Sequence, residues 1–196
     1  MAIEKSYFRQ VMGQFTTGVT IVTTGGQGKP AGITVNAFCS VSLNPPLVLV
    51  CIDLISHTLP FIRENGSFAV NILTDKQEEL SRCFAGSTQE RYEEFCHAGF
   101  HLAATGSPII DESLAFIDAR VVAEYPGGDH VIFLGQVEAM GINGHEVVFA
   151  NKEDQEYATL NENHNNEAQN DIEPLAYYEG KYRHLTCDYV KPSLSK

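Results

Sequence analysis

A run of uncharged polar side chains is the part of this sequence whose residue types best suit ligand chemistry. The run lies within residues 31–52, AGITVNAFCSVSLNPPLVLVCI, where hydroxyl and amide groups alternate with apolar ones. The polar members are Thr34, Asn36, Ser40, Ser42 and Asn44. Alternate side chains of a β-strand share one face, so these groups point the same way. They suit the edge of a heteroaromatic ring or a sugar chain, although a half-buried strand with a small polar outer face shows the same alternation.

The opposite face of this strand is predicted to belong to the core. Its members are Ile33, Val35, Ala37, Cys39, Val41 and Leu43. Phe38 is the single apolar residue on the polar face. The following Asn44-Pro45-Pro46 removes two backbone donors and is expected to end the pairing. The uninterrupted apolar run LVLVCI then predicts a strand that is buried on both faces.

Further polar groups stand beside two predicted helices. Ser56 and Thr58 precede the predicted helix LPFIREN. Their hydroxyls and the free N–H groups of the first helical turn can hold a phosphate, or the hydroxyls can simply cap the helix, with Ser56 as the predicted cap. Asp75 and Glu78 have the spacing of a capping box and predict the start of the next helix. The residues expected to face inward on that helix are Leu80, Cys83 and Phe84. Arg82 lies beside them and is the nearest cation for a phosphate.

A glycine turn between two long runs of β-branched residues predicts a hairpin. The strands cover residues 114–125 and 131–140, and the turn contains GGDH at residues 127–130. His130 therefore lies at the mouth of the hairpin. Two glycines and an aspartate are also what a turn requires for its own conformation, so the motif alone leaves both readings open.

His97 and His101 have the i, i+4 spacing of a metal-binding pair on a helix. Gly99 interrupts the helix between them, and the pattern includes no third ligand. We therefore predict no metal site.

Three stretches resemble, in order, the short-chain flavin reductases, the small components that supply reduced flavin to two-component monooxygenases. They are GITVNAFCSVSLNPPLVLVCI, SFAVNIL at residues 67–73, and GGDH. The similarity runs from about residue 8 to residue 149 and resumes at residues 174–185.

The resemblance implies a fold and a reaction. The fold is a split β-barrel that binds FMN or FAD, usually at a homodimer interface. The reaction is hydride transfer from C4 of NADH or NADPH to N5 of the flavin, with the reduced flavin passing to a monooxygenase partner. Such transfer depends on stacking two rings at close distance more than on a strong acid or base, which agrees with the lack of a Ser-His-Asp or paired-carboxylate signature.

The resemblance also assigns roles to the candidate residues. Thr34, Asn36 and Ala37 would bond the pyrimidine edge of the flavin through side chain or backbone, and Ser40 and Ser42 would meet the ribityl chain or phosphate. The other candidate cofactor-binding residues are Ser56, Thr58, Arg82, Phe84 and Asp129. His130 would orient the nicotinamide. Two alternatives stay open: a flavin-binding barrel without pyridine-nucleotide turnover, such as an electron carrier, and a β-barrel that binds another small polar ligand.

The secondary-structure pattern around these residues predicts a mainly β protein. Many short strands, few helices and no regular βαβ alternation favour a closed antiparallel barrel, which the resemblance narrows to a split barrel with a few short flanking helices. The remaining predicted elements are an amphipathic helix at 6–15 and strands at 16–24, 67–73, 146–150 and 174–185. Residues 16–24 are expected to form a hairpin with the polar strand. Residues 151–173 are rich in asparagine and acidic residues, which predicts a mobile polar insertion.

Composition limits the class of protein. A chain of 196 residues with 43% hydrophobic content fits a single domain over residues 1–196. The formal net charge of −12 argues against nucleic-acid binding, and it also means that anionic cofactors must be held by local donors and cations.

The cysteines and the absence of long apolar runs predict a location. The five cysteines are odd in number and contain no CxxC pair, which is typical of small buried hydrophobes in a reducing, cytoplasmic compartment. No signal sequence or membrane-spanning run is evident. We therefore expect a soluble protein without membrane contact.

Overall fold

The protein is mainly β, with short helices between strands. The computed structural model describes residues 3–26, 29–142, 145–148 and 173–185. The α-helices are α1 (Lys5–Met12), α2 (Leu59–Asn65), α3 (Glu78–Ala85) and α4 (Gln89–Glu94), and 3₁₀ turns cover Asp75–Gln77 and Phe95–His97. The strands are β1 (Thr17–Gly18), β2 (Thr20–Gly26), β3 (Lys29–Val35), β4 (Phe38–Leu43), β5 (Pro46–Asp53), β6 (Ser67–Ile72), β7 (Phe100–Leu102), β8 (Pro108–Ile110), β9 (Ala115–Gly127), β10 (His130–Ile142), β11 (His145–Val148), β12 (Leu175–Tyr178) and β13 (Lys181–His184). The predicted hairpins β2–β3 and β9–β10 are both confirmed, and their pairing is antiparallel.

The main sheet is curled. Its strand order is β3-β2-β6-β9-β10-β5-β4, with β11 paired to β10. The edge strands β3 and β4 follow each other in the chain and are separated by Asn36 and Ala37 alone. Seven flat strands would hold the two edges roughly 29 Å apart, whereas three Cα steps span at most about 11 Å. The sheet must therefore bend until its edges approach each other.

The core lies inside this bend. Its largest cluster is built on alternate residues of β5, namely Val48, Val50 and Ile52, together with Phe68 and Phe133. The other side of β5 is half-buried rather than fully buried, so the predicted two-sided burial of LVLVCI holds for one face only. Burial of these apolar side chains is the main source of the fold's stability.

The predicted core face of the polar strand is correct only as far as Val35. Ile33, Val35 and also Phe38 pack against the main core cluster. Cys39, Val41 and Leu43, in contrast, are exposed, Leu43 at 95%. The alternation fails because the two residues between β3 and β4 are not in a strand, and because the β4–β5 register shifts between Ser40 and Ser42.

Two local predictions near these elements need correction. Asn44-Pro45-Pro46 ends β4 at Leu43 as expected, but Pro46 itself is paired with Leu43, so the segment is the β4–β5 turn rather than a break in the pairing. The capping box before α3 uses Thr74 and Gln77 rather than Asp75 and Glu78. The backbone N–H of Thr74 donates to Gln77 Oε1 at 3.2 Å.

Helix α1 begins at Lys5, one residue before the predicted range, and ends at Met12, and its apolar face is uncovered. Phe8, Val11 and Met12 are each more than half exposed, and Phe15, just after the helix, is 71% exposed. A face of this kind marks a surface that a partner can cover.

The cysteine prediction is wrong for one pair. Cys83 and Cys96 form a disulfide with a Cα–Cα distance of 6.1 Å. Cys39 and Cys51 are free, and Cys187 lies outside the described residues. The cysteines therefore give no support to a reducing compartment. Among the helices of the described part, none has the length and apolar character that crossing a membrane requires.

The C-terminal prediction is correct in strand character, but residues 174–185 form two strands rather than the single strand expected to complete the barrel. Strands β12 and β13 fall within residues 174–185 and join β1 in a three-stranded sheet. The predicted strand at 146–150 corresponds to β11, while residues 149–150 lie outside the described part. The predicted insertion at 151–173 also lies outside it, apart from Glu173.

Candidate cofactor-binding site

Thr34 is the candidate residue that lies within strand β3. Thr34 is half-buried, and its Oγ1 donates to the backbone oxygen of Ser81 in α3 at 2.7 Å. The hydroxyl of Ser81 in turn lies 2.8 Å from the hydroxyl of Tyr182 on β13. This chain of hydrogen bonds fixes Thr34 between the sheet, helix α3 and the C-terminal strands.

A cavity opens where β3 ends. Its volume is about 210 Å³, and its lining includes Thr34, Asn36, Tyr177 and Tyr182. The two tyrosine rings are 5.5 Å apart at an angle of 71°. Aromatic walls beside an amide and a hydroxyl can accept a planar ring that has polar atoms on its edge.

Arg91 on α4 is a buried cation, only 6% exposed. Its Nε donates to the backbone oxygen of Gly32 at 3.0 Å, its Nη1 to that of Gly86 at 2.6 Å, and its Nη2 to Thr58 Oγ1 at 3.3 Å. Within the described residues it forms no ion pair with a carboxylate, and burial lowers its pKa from the ordinary value. A buried guanidinium with only neutral partners leaves its positive charge uncompensated and favours a nearby anion.

Thr58 contacts this arginine directly, and Ser56 contacts Thr58. Thr58 is 1% exposed, and its hydroxyl donates to the same Gly32 oxygen at 3.1 Å. Thr58, not Ser56, occupies the N-cap position of α2, but its side chain makes no capping hydrogen bond. Ser56 Oγ accepts the N–H of Thr58 at 3.2 Å in the turn before the helix. The ring of His57 packs on that of Tyr92, with centroids 4.6 Å apart.

Sequence reasoning missed Arg91. It stands in QERYEEF among four acidic or amide side chains, a pattern typical of a solvated helix face. The sequence held only a weak signal for Arg91. The residue follows the predicted helix whose apolar side chains face the core, and a chain of net charge −12 needs nearby cations to bind an anionic ligand.

His130 begins β10 at the tip of the β9–β10 hairpin. Its Nδ1 lies 2.8 Å from Asp129 Oδ1, and this hydrogen bond lowers the pKa of Asp129. The backbone oxygen of Asp129 accepts the N–H of Leu54 at 3.0 Å, so the tip rests on the segment that leads to Ser56. With Nδ1 held by the carboxylate, the imidazole is oriented and its Nε2 remains for a ligand.

The other candidates are placed less centrally. Arg82 is ion-paired with Glu78 and lies over the Tyr182 ring, 4.6 Å from its centroid. Ala37 accepts the N–H of Cys51 through its backbone oxygen at 3.0 Å. The serines of edge strand β4, Ser40 and Ser42, are exposed and half-buried respectively.

Phe84 requires a correction as a ligand-contacting side chain. It is 0% exposed, and its ring packs against that of Phe95 with centroids 5.0 Å apart. Its side chain is therefore part of the core beneath β3.

The two histidines with metal-like spacing do not share a helix. His97 lies in the Phe95–His97 turn and pairs with Glu94 at 2.9 Å, while His101 lies in β7 and pairs with Asp111 at 3.1 Å. Within the described ranges, no group of three or more His, Cys, Asp or Glu side chains is arranged to hold a metal ion.

Comparison with known proteins identifies the family. The model of the flavin reductase like domain matches residues 12–186, and the chain belongs to this family. The reductase subunit HsaB of a flavin-dependent monooxygenase from Mycobacterium tuberculosis is 39% identical over 138 residues, covering 70% of this chain and 72% of HsaB. The NADH-dependent FMN reductase AsuE2 of Streptomyces nodosus subsp. asukaensis is 37% identical, covering 69% of this chain and 74% of AsuE2.

A solved structure agrees with these relatives. The NADH:FAD oxidoreductase SgcE6 of Streptomyces globisporus C-1027, in complex with NAD and FAD fragments, superposes with a TM-score of 0.75 at 29% identity. The match covers 95% of each chain.

Proposed function

We propose that this chain is an NADH- or NADPH-dependent flavin reductase that passes reduced FMN or FAD to a partner monooxygenase. The observation that carries the proposal is strand β3, in which Thr34 lines the cavity and Gly32, two residues earlier, accepts a hydrogen bond from the buried, uncompensated Arg91. That combination fits a flavin, which joins a planar heteroaromatic ring to a phosphate. When bound, the flavin supplies an N5 atom that accepts a hydride from C4 of the reduced nicotinamide.

The residues around the cavity would bind the ring. The Thr34 hydroxyl donates its hydrogen bond to the backbone oxygen of Ser81, so the lone pairs of its oxygen are available to accept one. Asn36 is exposed and offers both a donor and an acceptor to the pyrimidine edge, with Ala37 adding backbone groups. Ser40 and Ser42 follow on β4 and would bond the ribityl chain.

Arg91 and Thr58 would hold the phosphate side. The chain carries a net charge of −12, so an anionic cofactor needs a cation close by. Arg91 supplies this charge from a buried position where solvent screens it little. Thr58 adds a hydroxyl group next to it, and Ser56 adds a second hydroxyl beside Thr58. Arg82 is a weaker candidate, because Glu78 neutralises it at an exposed site.

His130 would orient the nicotinamide. Asp129 fixes its ring through Nδ1, and the side chain is 41% exposed, so a ligand can reach the other nitrogen. Asp129 acts here by positioning His130.

The proposed assembly is a homodimer of split-barrel domains, each formed by residues 1–196. The approach of edge strands β3 and β4 supports a split barrel. The support for dimerisation is the exposed apolar surface: Leu43 is 95% and Ile55 90% exposed, and the apolar face of α1 is also uncovered. A second copy of the chain would bury such a surface.

The experiment that tests the reductase assignment compares two histidine variants. His130→Ala should lower kcat/KM for NADH roughly 5- to 150-fold, because it removes an interaction worth ~1 to 3 kcal/mol, and the flavin Kd should stay unchanged. His101→Ala is the matched control, because this exposed histidine is also paired with a carboxylate, at 3.1 Å, but lies on β7.

Equal NADH turnover in both variants and the wild-type protein would remove His130 from the site. Flavin binding without any NADH turnover in the wild-type protein would instead favour a flavin carrier of the same fold.

A further inference from the structure

The Cys83–Cys96 disulfide encloses the segment that carries Arg91. Cys83 lies near the end of α3, and Cys96 lies in the turn Phe95–His97, 13 residues further along the chain. Helix α4, with Arg91, lies between them. The covalent bond therefore closes a loop that contains Arg91, the buried cation that we assign to the cofactor phosphate.

The turn at the far end of this loop is held in an unfavourable conformation. The φ angle is 50° at Phe95, 54° at Cys96 and 53° at His97, and all three lie in the left-handed region. Residues with a Cβ atom rarely adopt this region, and three in succession need support from their surroundings. The support comes from the disulfide and from Phe95, which is buried.

Both ends of the loop rest on strand β3. Phe84 and Phe95, the neighbours of the two cysteines, pack together, and a Cβ atom added to Gly32 would lie 2.7 Å from the Phe84 ring and 3.4 Å from the Phe95 ring. Arg91 bonds the oxygen of the same Gly32. A change in the loop is thus transmitted directly to the strand and to the arginine that we place in the cofactor site.

We propose that Cys83 and Cys96 form a thiol–disulfide modification site that sets the affinity of the protein for the phosphate group of its flavin. This inference rests on the proposed function. The disulfide form holds Arg91 in place. In the dithiol form the Phe95–His97 turn relaxes, α4 loosens, and the arginine is positioned for only part of the time.

The chemistry requires a dithiol reductant. A thiolate of the reductant attacks the sulfur of Cys83, which is the more accessible of the two residues, and Cys96 leaves as a thiolate. The second thiol of the reductant then attacks the mixed disulfide and releases Cys83. The protein gains two electrons and two protons, and the reductant becomes a disulfide.

The size of the effect follows from the fraction of molecules in which Arg91 is in place. If reduction leaves that fraction at a fifth or less, the apparent Kd for FMN rises at least about fivefold, because apparent affinity scales with the competent fraction. Riboflavin has the same ring but no phosphate, so its Kd should change by less than about twofold on the same reasoning.

The test uses the full-length protein in two redox states. One sample is oxidised with oxidised glutathione, and the other is reduced with dithiothreitol and desalted under nitrogen. Mass spectrometry after alkylation confirms the state of each cysteine. FMN and riboflavin are then titrated by fluorescence quenching. The Cys83→Ser/Cys96→Ser double variant retains the other three cysteines, so it should match the reduced wild-type protein and should not respond to dithiothreitol.

Each outcome decides the proposal. A rise in the FMN Kd without a matching rise for riboflavin supports it. Unchanged values, an equal loss for both flavins, or a protein that forms no Cys83–Cys96 disulfide after oxidation would overturn it. If neither sample binds flavin, the proposed function fails. Amide hydrogen exchange in residues 86–97 then tests whether reduction of the disulfide loosens the loop. Faster exchange after reduction supports the redox proposal, and equal exchange overturns it.

Discussion

Replacement of Gly32 by alanine should damage both the core and the cofactor site. The alanine Cβ would lie 2.7 Å from Cε1 and 3.0 Å from Cδ1 of Phe84. Ordinary contacts between carbon atoms are about 3.5–4.0 Å. Phe84 is fully buried against Phe95, so its ring has little room to retreat, and the strand must move instead.

The expected cost is that of overpacking a closed core, ~1 to 3 kcal/mol of unfolding free energy. For a chain of this size, each kcal/mol lowers Tm by roughly 2–4 °C. Flavin affinity should fall as well, because the Gly32 oxygen accepts hydrogen bonds from both Arg91 and Thr58.

Thermal unfolding followed by circular dichroism, together with an FMN titration, measures both effects. Gly18→Ala is the matched control: it is also a strand glycine, but its added Cβ meets no atom within 4 Å, so Tm should stay close to that of the wild-type protein. The double variant Gly32→Ala/Phe84→Leu should lose less stability than the sum of the single variants, since the clash partner is gone. If Gly32→Ala is as stable as Gly18→Ala, the packing of α3 on β3 described above is wrong.

Three further predictions concern single side chains. Arg91→Gln should raise the FMN Kd roughly 10- to 150-fold, because it removes one hydrogen bond between a cation and the phosphate. The riboflavin Kd should change little in the same fluorescence titration. Asn36→Ala should weaken the binding of both flavins, so an effect confined to FMN would contradict its place at the ring edge. Asp118 is fully buried, and desolvation raises the pKa of its carboxyl above the unfolded-state value of about 3.9. The folded state therefore binds this proton more tightly than the unfolded state does. The resulting contribution to the free energy of unfolding is present at low pH and is lost as pH rises through the folded-state pKa. The Tm of the wild-type protein should therefore fall relative to that of Asp118→Asn as pH rises from about 4 to 7, and parallel curves would refute this.

The parts of the fold that follow from local pattern were predictable from the sequence. The β9–β10 hairpin has glycines at its turn and β-branched residues on both sides, so its strands were identified to within a few residues. Helix α1 and the strand character of residues 174–185 were found for the same reason, although the division into β12 and β13 was not. In each case the periodicity of the side chains decides the element.

The features that depend on distant contacts were not predictable. The side-chain alternation failed after Val35 because the chain changes from one edge of the sheet to the other at Asn36, which no local pattern records. Arg91 is surrounded by polar residues in sequence, and only the packing of α4 against β3 makes it a buried cation. The pairing of Cys83 with Cys96 likewise depends on how α3 and the Phe95–His97 turn meet in space.

The most direct test of the central claim is an anaerobic titration of the purified protein with NADH, with and without added FMN or FAD. The account predicts that NADH is oxidised only when flavin is present and that the absorption band of oxidised flavin disappears in proportion to the NADH added. Fluorescence titration at micromolar protein should also show flavin binding. A protein that binds no flavin, or one that binds flavin and leaves both NADH and NADPH unoxidised, would contradict the claim that this chain is a flavin reductase.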